Sequence, residues 1–428
     1  MDDQASLSIT TPAISRSGSI ATVGKSWGAI GFTGAASFEL PLPMSAGRGF
    51  DPSLSLHYNS QAGNGPFGIG WGVNNSAITR QTSKGVPAYR DDDAMLGPDG
   101  EVLMPDRDDA GNIESRTETH YRNVAVGTHR VVRYQPRVES TFALLELWQP
   151  ENAPPFWLVH GADGSLHVYG KTAACRREEP PAPDQPDAPR RIGMWLLLES
   201  MNARGEHICY DYLAEDQTRS PDTPHDYRAQ RYLHRVCYGN VEAGADLYAW
   251  TVENPASLDW HFHLLFDYGE RTGQWDQSPI YGPPWQPEQA LAPWLERSDP
   301  VHAYGFGFEI GTRRLCQQVL MFHHFPEELG PAPALVRRLL LQYRPTALGY
   351  NQLEAAHYQA YDASGAMEPM PPVQFEYSAF ELNPQPSAFF PFEHMPGLED
   401  GQRYQCVDLF GEGVPGFLCR YDQCWYYR

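Results

Sequence analysis

The segment from Ser37 to Tyr89 constrains the fold most, because strand-like and glycine-rich runs alternate in it almost without interruption. Leu54, Leu56 and Tyr58 alternate with polar residues, and this period of two places every second side chain on one face of a sheet. Glycines then stand at positions 63, 65, 68, 70 and 72. The segment therefore predicts short strands joined by tight glycine turns.

The glycine-rich run does not fit a phosphate-binding loop. Such a loop leads into a helix whose free N–H groups face the anion. Here Pro66 lacks a donor, and Phe67 and Trp71 alternate with glycines as in a strand. We predict a sharply bent strand, in which Trp71 is buried and Gly68 and Gly70 permit close approach of the backbone.

Composition favours many short strands over long helices. Of 428 residues, 38 are glycine and 38 proline, and aromatic residues make up 12%. The formal net charge of -21 repels phosphate backbones, so nucleic-acid binding is not expected. We predict an all-β chain built from antiparallel hairpins.

Two hairpins can be placed directly. Residues 156–170 form one around the turn Asp163-Gly164, and residues 194–212 form another around a loop at 202–205. Between and beyond them lie three proline-rich or polar excursions, at residues 176–189, 215–226 and 279–300. The first two are predicted to be exposed loops, whereas Trp285 and Trp294 predict that the third packs onto the protein.

Seven strings along the chain resemble one known family. They are SAGRGF (45–50), LSLHYNS (54–60), GNGPFGIGW (63–71), ITRQTSKGVP (78–87), FDYGE (266–270), GFEIGTRRLC (307–316) and VLMFHHF (319–325). In content and order they resemble the N-terminal domain of Salmonella virulence plasmid protein B (SpvB), which is shared with the TcB component of insecticidal Tc toxin complexes. The resemblance covers about residues 5 to 380, and ISRSGSI (14–20) follows the family only loosely.

The resemblance implies a large antiparallel, hairpin-rich sheet or sandwich that forms part of a shell wall. In Tc toxins, TcB with a TcC Rhs-type partner encloses a hollow shell, and the TcB propeller docks on the TcA translocation channel. The second hairpin above is also similar to the tyrosine-rich hairpins of Rhs/YD-repeat shells. The resemblance therefore implies toxin-complex partners, while the acidic charge predicts no nucleic acid and the short apolar runs predict no membrane span.

The last segment, Cys406–Tyr427, resembles the first strands of an FG-GAP/VCBS-type propeller blade. Asp408 and Glu412 remain from the acidic positions of that family, but Phe410 and Pro415 stand where metal ligands would be needed. We expect three parts: an extended lead (1–36), an SpvB-like β domain (37–388) and the truncated start of a propeller (389–428). On this reading the sequence is a fragment or a truncated homologue.

No catalytic, cofactor-binding or metal-binding residues are assigned from the sequence. His261 and His263 lie on one strand face, with His323-His324 as a second pair, and they either bind a metal or face solvent or a hydrogen-bond partner. The adjacent carboxylates Glu178-Glu179 and Glu327-Glu328 lack the Glu-x-Glu spacing of the family's ADP-ribosyltransferase domain. Asp91-Asp92-Asp93 lacks the alternating ligands of a calcium loop and is predicted to be solvated.

Cysteine usage and the N-terminus bear on localisation. Seven cysteines are scattered without a CxxC pair, which predicts reduced, mostly buried thiols. The acidic start MDDQ predicts no Sec signal peptide, and no run reaches the about twenty apolar residues of a membrane span. We expect synthesis in a bacterial cytoplasm and export by a non-Sec route.

Three functions are compatible with these sequence features. The first is a non-enzymatic structural and delivery module of a bacterial toxin, and the second is a secreted binding module normally fused to a C-terminal ADP-ribosyltransferase. The third is a carbohydrate site, which requires aromatic residues and carboxylates around a concave pocket. The sequence favours the first, with no enzyme activity and no cofactor.

Overall fold

The computed structural model describes residues 34–182, 190–215, 225–282, 295–378, 403–411, 414–421 and 423–427. All strand pairings in these ranges are antiparallel. Helical structure in the same ranges is limited to single turns, α1 (Tyr248–Thr251), α2 (Pro326–Leu329) and two 3-10 turns at Ala173–Cys175 and Pro255–Ser257. The prediction of an all-β, antiparallel chain is confirmed.

The strands follow one another closely along the chain. In order they are β1 (Ser37–Pro41), β2 (Ser55–Asn59), β3 (Asn64–Gly65), β4 (Gly68–Ile69), β5 (Trp71–Val73), β6 (Ala77–Arg80), β7 (Met95–Leu96), β8 (Val102–Pro105), β9 (Arg116–Tyr121), β10 (Val124–Pro136), β11 (Leu144–Pro150), β12 (Phe156–His160), β13 (Leu166–Tyr169), β14 (Arg176–Glu178), β15 (Ile192–Met201), β16 (His207–Ala214), β17 (Arg231–Asn240), β18 (Trp260–Asp267), β19 (Val301–Ala303), β20 (Ile310–Thr312), β21 (Gln318–His323), β22 (Ala334–Pro345), β23 (Asn351–Tyr361), β24 (Met367–Pro369), β25 (Val373–Gln374), β26 (Tyr404–Val407), β27 (Gly416–Tyr421) and β28 (Cys424–Tyr427).

One set of strands closes into a ring. β10 pairs with β11, β11 with β12, β12 with β13, and β13 with the C-terminal half of β15. The N-terminal half of β15 pairs with β6, and β7 and β8 lead back to β10. Trp148, Trp157 and Trp195 are fully buried on these strands, so the closed ring, as we call this set, is held by large aromatic side chains.

A second path of strands leaves the ring at β15. It runs through β16, β17, β18, β21, β22 and β23, and we call it the open arm. One face of the arm is apolar, with Leu264, Phe266, Met321 and Leu339 buried completely. The glycine-rich block packs on this face, since Phe67 and Phe266 meet with ring centroids 6.2 Å apart.

The opposite face of the open arm carries buried polar side chains beside the apolar cluster Leu265, Leu320 and Phe322, and we call it the polar face. It carries Arg235, Asp267, Gln318 and Arg338, and each has no exposed surface. Residues 271–281, here called the strap, lie over this polar face. The strap's backbone carbonyls accept the hydrogen bonds of the buried side chains beneath, so both faces of the arm are covered.

The glycine-rich block has the predicted bent geometry. Trp71 is 3% exposed, and its indole N–H donates to the Tyr377 hydroxyl at 2.8 Å. Gly68 and Gly70 have φ of 85° and 80°, and a Cβ on Gly70 would lie 2.4 Å from the Tyr58 ring. These glycines are therefore required both by backbone conformation and by close packing.

The two predicted hairpins are confirmed. β12 and β13 pair around Gly164 (φ 83°), and β15 and β16 pair around Gly205 (φ 77°). Nothing in the described residues forms a helix long and apolar enough to cross a membrane. The described part of the tail forms a separate three-stranded meander of β26, β27 and β28. The predicted N-terminal lead lies almost wholly outside the described residues, as do Trp285, Trp294 and Glu412.

Two predicted loops contain more structure than expected. Arg176 and Glu178 were assigned to an exposed loop, but they lie in β14, are 5% and 3% exposed, and form an ion pair at 2.7 Å. Mutual neutralisation permits this burial, and pairing with β15 satisfies the backbone. The acidic stretch 91–109 contains β7 and β8, and Asp93 binds Arg80 at 2.6 Å instead of being solvated.

Candidate functional site

A cleft lies beside the strap, on the polar side of the open arm. Its volume is about 800 Å³. Its walls are mainly apolar and proline-rich and include Leu258, Ile280, Tyr281, Phe322, Pro331 and Leu335. His263 and His324, both singled out in the sequence, also line this cleft. One histidine of each pair singled out in the sequence therefore lines a space large enough for a ligand.

His263 is the central buried polar group of the cleft. Its Nδ1 lies 3.1 Å from the Tyr281 hydroxyl and 3.5 Å from the Cys237 thiol, and its Nε2 lies 3.1 Å from the Trp260 carbonyl oxygen. Burial, assisted by the nearby Arg235 guanidinium, lowers the pKa of His263 to about 3. The imidazole is consequently neutral at physiological pH.

The contact between Cys237 and His263 has the composition of a nucleophile–base pair but not its electrostatics. Burial raises the pKa of the Cys237 thiol to about 11, although Arg235 acts in the opposite direction. A catalytic cysteine needs a lowered pKa or a base that accepts its proton, and the low pKa of His263 offers neither. The pair is therefore a structural contact inside the sheet.

The other predicted histidines do not join His263 around a common point. His261 stacks on Phe325 with centroids 4.6 Å apart, and its Nδ1 lies 3.3 Å from the His324 carbonyl oxygen. His323 places its Nε2 2.7 Å from the Ser45 hydroxyl. Within the described ranges these four histidines form no group of three metal-ligating side chains.

Of the alternatives left open for His261 and His263, exposure to solvent does not apply to His263, which is 3% exposed. Trp260, Phe262 and Leu264 alternate with these histidines along β18 and indicate only one covered face. Both faces are covered, because the glycine-rich block packs on one side and the strap on the other. The alternative of a hydrogen-bonded histidine is the correct one at this position.

The paired carboxylates are also structural where they are buried. Glu178 accepts from Arg176 at 2.7 Å and from Arg190 at 2.8 Å, and Arg191 forms a two-pronged pair with Glu179. Glu327 and Glu328 lie in α2, in its exposed first turn. In the cleft itself the lining includes Asp259 as a carboxylate, whereas glycoside hydrolysis uses a pair.

The cysteines follow the prediction of reduced, mostly buried thiols. All seven are free. Cys175, Cys209, Cys237, Cys316 and Cys419 are buried, and Cys406 and Cys424 are exposed. Burial raises the pKa of the Cys175 thiol to about 12, so the buried thiols of the body are poor nucleophiles.

Arg235 and Tyr281 complete the polar contacts around His263, and neither contact was predicted from the sequence. The Arg235 guanidinium donates to Asp211 at 3.1 Å and reaches the Tyr281 hydroxyl at 3.5 Å. β17 also carries Arg231, His234 and Asn240, so Arg235 alone gave no signal of a buried partner. Tyr281 belongs to the third excursion, and its position over the sheet agrees with the prediction that this excursion packs onto the protein.

The chain is similar to known proteins in sequence and in structure. Residues 30–325 match the family described as SpvB, Salmonella virulence plasmid 65kDa B protein. The mono(ADP-ribosyl)transferase SpvB of Salmonella typhimurium (strain 14028s / SGSC 2262) is 45% identical over 367 residues, which are 84% of this chain and 59% of that protein. The chain thus spans less than two thirds of the length of this relative.

Two solved structures share the fold at substantial sequence identity. The N-terminal domain of effector protein SpvB from Salmonella typhimurium strain LT2 matches with a TM-score of 0.68 and 45% identity, over 76% of this chain and 99% of that chain. The crystal structure of TcdB2-TccC3 matches with a TM-score of 0.76 and 38% identity, over 96% of this chain and 19% of that chain. With most of its length matched, the chain belongs to the SpvB family of Salmonella virulence plasmid 65kDa B proteins.

Proposed function

We propose that this chain is a non-enzymatic structural and delivery module of a bacterial toxin, in which its sheet forms part of a shell that encloses or carries a toxic effector. The observation that carries the proposal is the similarity to TcdB2-TccC3 over 96% of the chain at 38% identity. Similarity to the SpvB N-terminal domain covers 76%.

The chemistry of the described residues supports a structural role. The Cys–His contact lacks the pKa values of a nucleophile–base pair, the buried Glu178 is neutralised by Arg176 and Arg190, and the cleft walls are mainly apolar and proline-rich. Hairpins that pair edge to edge, with both faces of the open arm covered, suit a wall better than a reaction centre. The partners would be an Rhs-type TcC shell protein and, through a propeller that begins near residue 389, a TcA-type translocation channel.

The test is a chimera in which this chain replaces the matching part of the TcdB2-TccC3 polypeptide. We expect a shell that protects the enclosed polypeptide from added protease. The matched control is the same chimera with Gly70→Val, which should fail to fold and expose the enclosed polypeptide. Rapid digestion in the unmodified chimera, with this chain itself folded, would contradict the shell role.

The second candidate is a secreted module fused to a C-terminal ADP-ribosyltransferase. It is favoured by the 45% identity to SpvB proteins, of which this chain spans 59%. The complete open reading frame distinguishes the two: a downstream propeller and Rhs region supports the first, and a transferase domain the second. On either reading, the isolated chain should not modify actin in the presence of NAD, and activity that disappears in Glu178→Gln or Glu328→Gln would overturn the non-enzymatic proposal.

A further inference from the structure

Three metal-ligating side chains converge away from the cleft. The donor atoms of His225, His302 and Glu309 all lie within 4.8 Å of one another. The Nδ1 atoms of His225 and His302 lie 2.7 Å and 2.8 Å from the same Glu309 oxygen, Oε1. Within the described ranges, this is the group of three histidine, cysteine or acidic residues that has such geometry.

The three side chains come from two distant parts of the chain. His225 precedes β17, whereas His302 lies in β19 and Glu309 directly precedes β20. β19 and β20 form a hairpin in which His302 is opposite Gly311. The ring of Tyr227 lies beside both imidazoles, with centroid distances of 5.7 Å and 5.6 Å, and this contact limits their orientation.

The carboxylate is held in place by further donors. The backbone N–H of Asp226 donates to Glu309 Oε2 at 2.9 Å, and the Tyr304 hydroxyl donates to Oε1 at 3.1 Å. Burial acts to raise the pKa of Glu309, but these hydrogen bonds and those of the two histidines outweigh it and lower the pKa. Such outer contacts orient ligating carboxylates in metal sites.

We propose that His225, His302 and Glu309 form a binding site for a divalent late transition metal, with Zn²⁺ as the occupant. Two imidazoles and one carboxylate suit Zn²⁺, whereas Mg²⁺ and Ca²⁺ prefer sites made of oxygen ligands alone. Three protein ligands leave a fourth position for water. The proposal assigns a ligand to this cluster and is independent of the toxin-module function.

Metal binding requires the three side chains to move, because their donor atoms lie within 4.8 Å of one another and the distances between them must all become about 3.3 Å. Zinc–ligand bonds of about 2.0–2.1 Å in a tetrahedron separate ligand atoms by about 3.3 Å. The two hydrogen bonds to Glu309 Oε1 would therefore lengthen by about half an ångström as the metal replaces the shared protons. The side chains of His225 and His302 are 41% and 29% exposed, so they can make this movement and the ion can enter from solvent.

Metal binding would join the segment before β17 to the β19–β20 hairpin. A ligand that binds only the folded state stabilises it by mass action. Zinc should therefore raise the melting temperature of the intact chain in a concentration-dependent way. The residues that contact the metal lie outside the cleft, so this effect should not depend on cleft residues such as His263.

The experiment uses the full chain without an affinity tag, stripped with EDTA and titrated with ZnCl₂ by calorimetry. We expect one zinc per chain and a zinc-dependent rise in melting temperature. Glu309→Gln and His302→Ala should each weaken binding more than about tenfold. His120→Ala, which changes an exposed histidine of β9, should bind zinc as the unmodified chain does.

A second readout separates binding from folding. Co²⁺ in place of zinc should give visible absorption bands of a tetrahedral site, and Glu309→Gln should remove them even though its side chain keeps nearly the same volume. If the unmodified chain binds no zinc, or if all variants bind it equally, the proposal is wrong. Equal binding by all variants would mean that the ion binds at another site, for example at the exposed Cys406 or Cys424.

Discussion

The closed ring and the open arm share strand β15 but are stabilised by different chemistry. The ring buries Trp148, Trp157 and Trp195, and Trp157 and Trp195 meet at a centroid distance of 6.2 Å. The polar face of the arm instead buries Arg338 and other polar groups beneath the strap. Apolar contacts stabilise in proportion to the area buried, whereas a buried polar face is stable only when each group has its partner.

The strap shows how complete that pairing is. Arg338 donates to the carbonyl oxygens of Thr272, Gln274 and Gln277 at 3.1–3.2 Å. It also donates to Gln318 Oε1 at 2.7 Å, and Gln318 donates to Asp267 at 2.6 Å. Specific donors on the sheet therefore fix the register of the strap. The apolar packing of tryptophans in the closed ring does not require such directional contacts.

The largest expected effect concerns the glycine-rich block that packs on the apolar face of the arm. Gly70→Val should abolish folded protein, because φ is 80° and the added Cβ would lie 2.4 Å from the Tyr58 ring. Gly63→Val is the matched control, since no atom lies within 4 Å of its Cβ position. Soluble yield and near-UV circular dichroism test the difference. A folded Gly70→Val protein would show that the glycine-rich block tolerates more change than its packing indicates.

The polar face should respond strongly to loss of its central donor. Arg338→Met should lower the free energy of unfolding by about 2–4 kcal/mol, because several buried acceptors lose their partner. Arg344→Met removes an arginine with a 58% exposed side chain, whose pair with Glu354 is at the surface, and should change stability by less than about 0.5 kcal/mol. Urea denaturation measures both. Equal effects would mean that the strap contributes no more than a surface loop.

A pH profile can sharpen the comparison. Burial and the neighbouring Asp267 raise the pKa of Glu270 to about 8, from an ordinary value of 4.5. The folded chain therefore holds a proton that the unfolded chain releases above pH 4.5, and the associated stability is lost as pH rises to about 8. His263, with a pKa lowered to about 3, contributes stability that is complete above its ordinary pKa of 6.5 and is lost as pH falls toward 3.

Glu270→Gln should therefore flatten the decline in unfolding free energy between about pH 6.5 and pH 8, where His263 no longer changes its charge. Glu368→Gln, at an exposed position of β24, should keep the slope of the unmodified chain. Denaturant midpoints across this interval supply the measurement. Parallel profiles for all three proteins would mean that Glu270 is ionised in the folded chain.

Local hairpins were easier to predict from the sequence than contacts between distant segments, for a physical reason. Hairpins such as β12–β13 and β15–β16 are specified locally by alternation and a glycine turn, so both were found. The buried Arg338 and the buried pair of Arg176 and Glu178 depend on contacts between distant segments. A charged residue in a strand reads as solvent-facing unless its partner is known, and the strap carries its acceptors on the backbone, where sequence offers no signal.

The cleft and the metal-ligating cluster show the same limit. The histidines of β18 and β21 stand out in the sequence, but the burial of His263 depends on the strap, where Tyr281 contacts its imidazole. His225 could not have been connected with His302 and Glu309 by spacing, because the contact joins the segment before β17 to a hairpin far along the chain. The β19–β20 hairpin alone contains a usable signal, since His302 and Glu309 flank its turn.

The smallest expected effect concerns the tail and tests the boundary predicted near residue 389. The meander of β26–β28 exposes large apolar side chains: Phe410 is 69% and Trp425 63% exposed. Exposed apolar surface of this kind favours association. Deleting residues 395–428 should therefore improve solubility and leave the melting temperature of the ring and arm nearly unchanged. Calorimetry and light scattering of the two chains measure these quantities, with Leu348→Ser, at an exposed apolar site of the body, as a control for general solubility effects. If the deletion unfolds the whole protein, the tail is an integral part of the SpvB-like domain, and the proposal of a separate propeller that begins there is wrong.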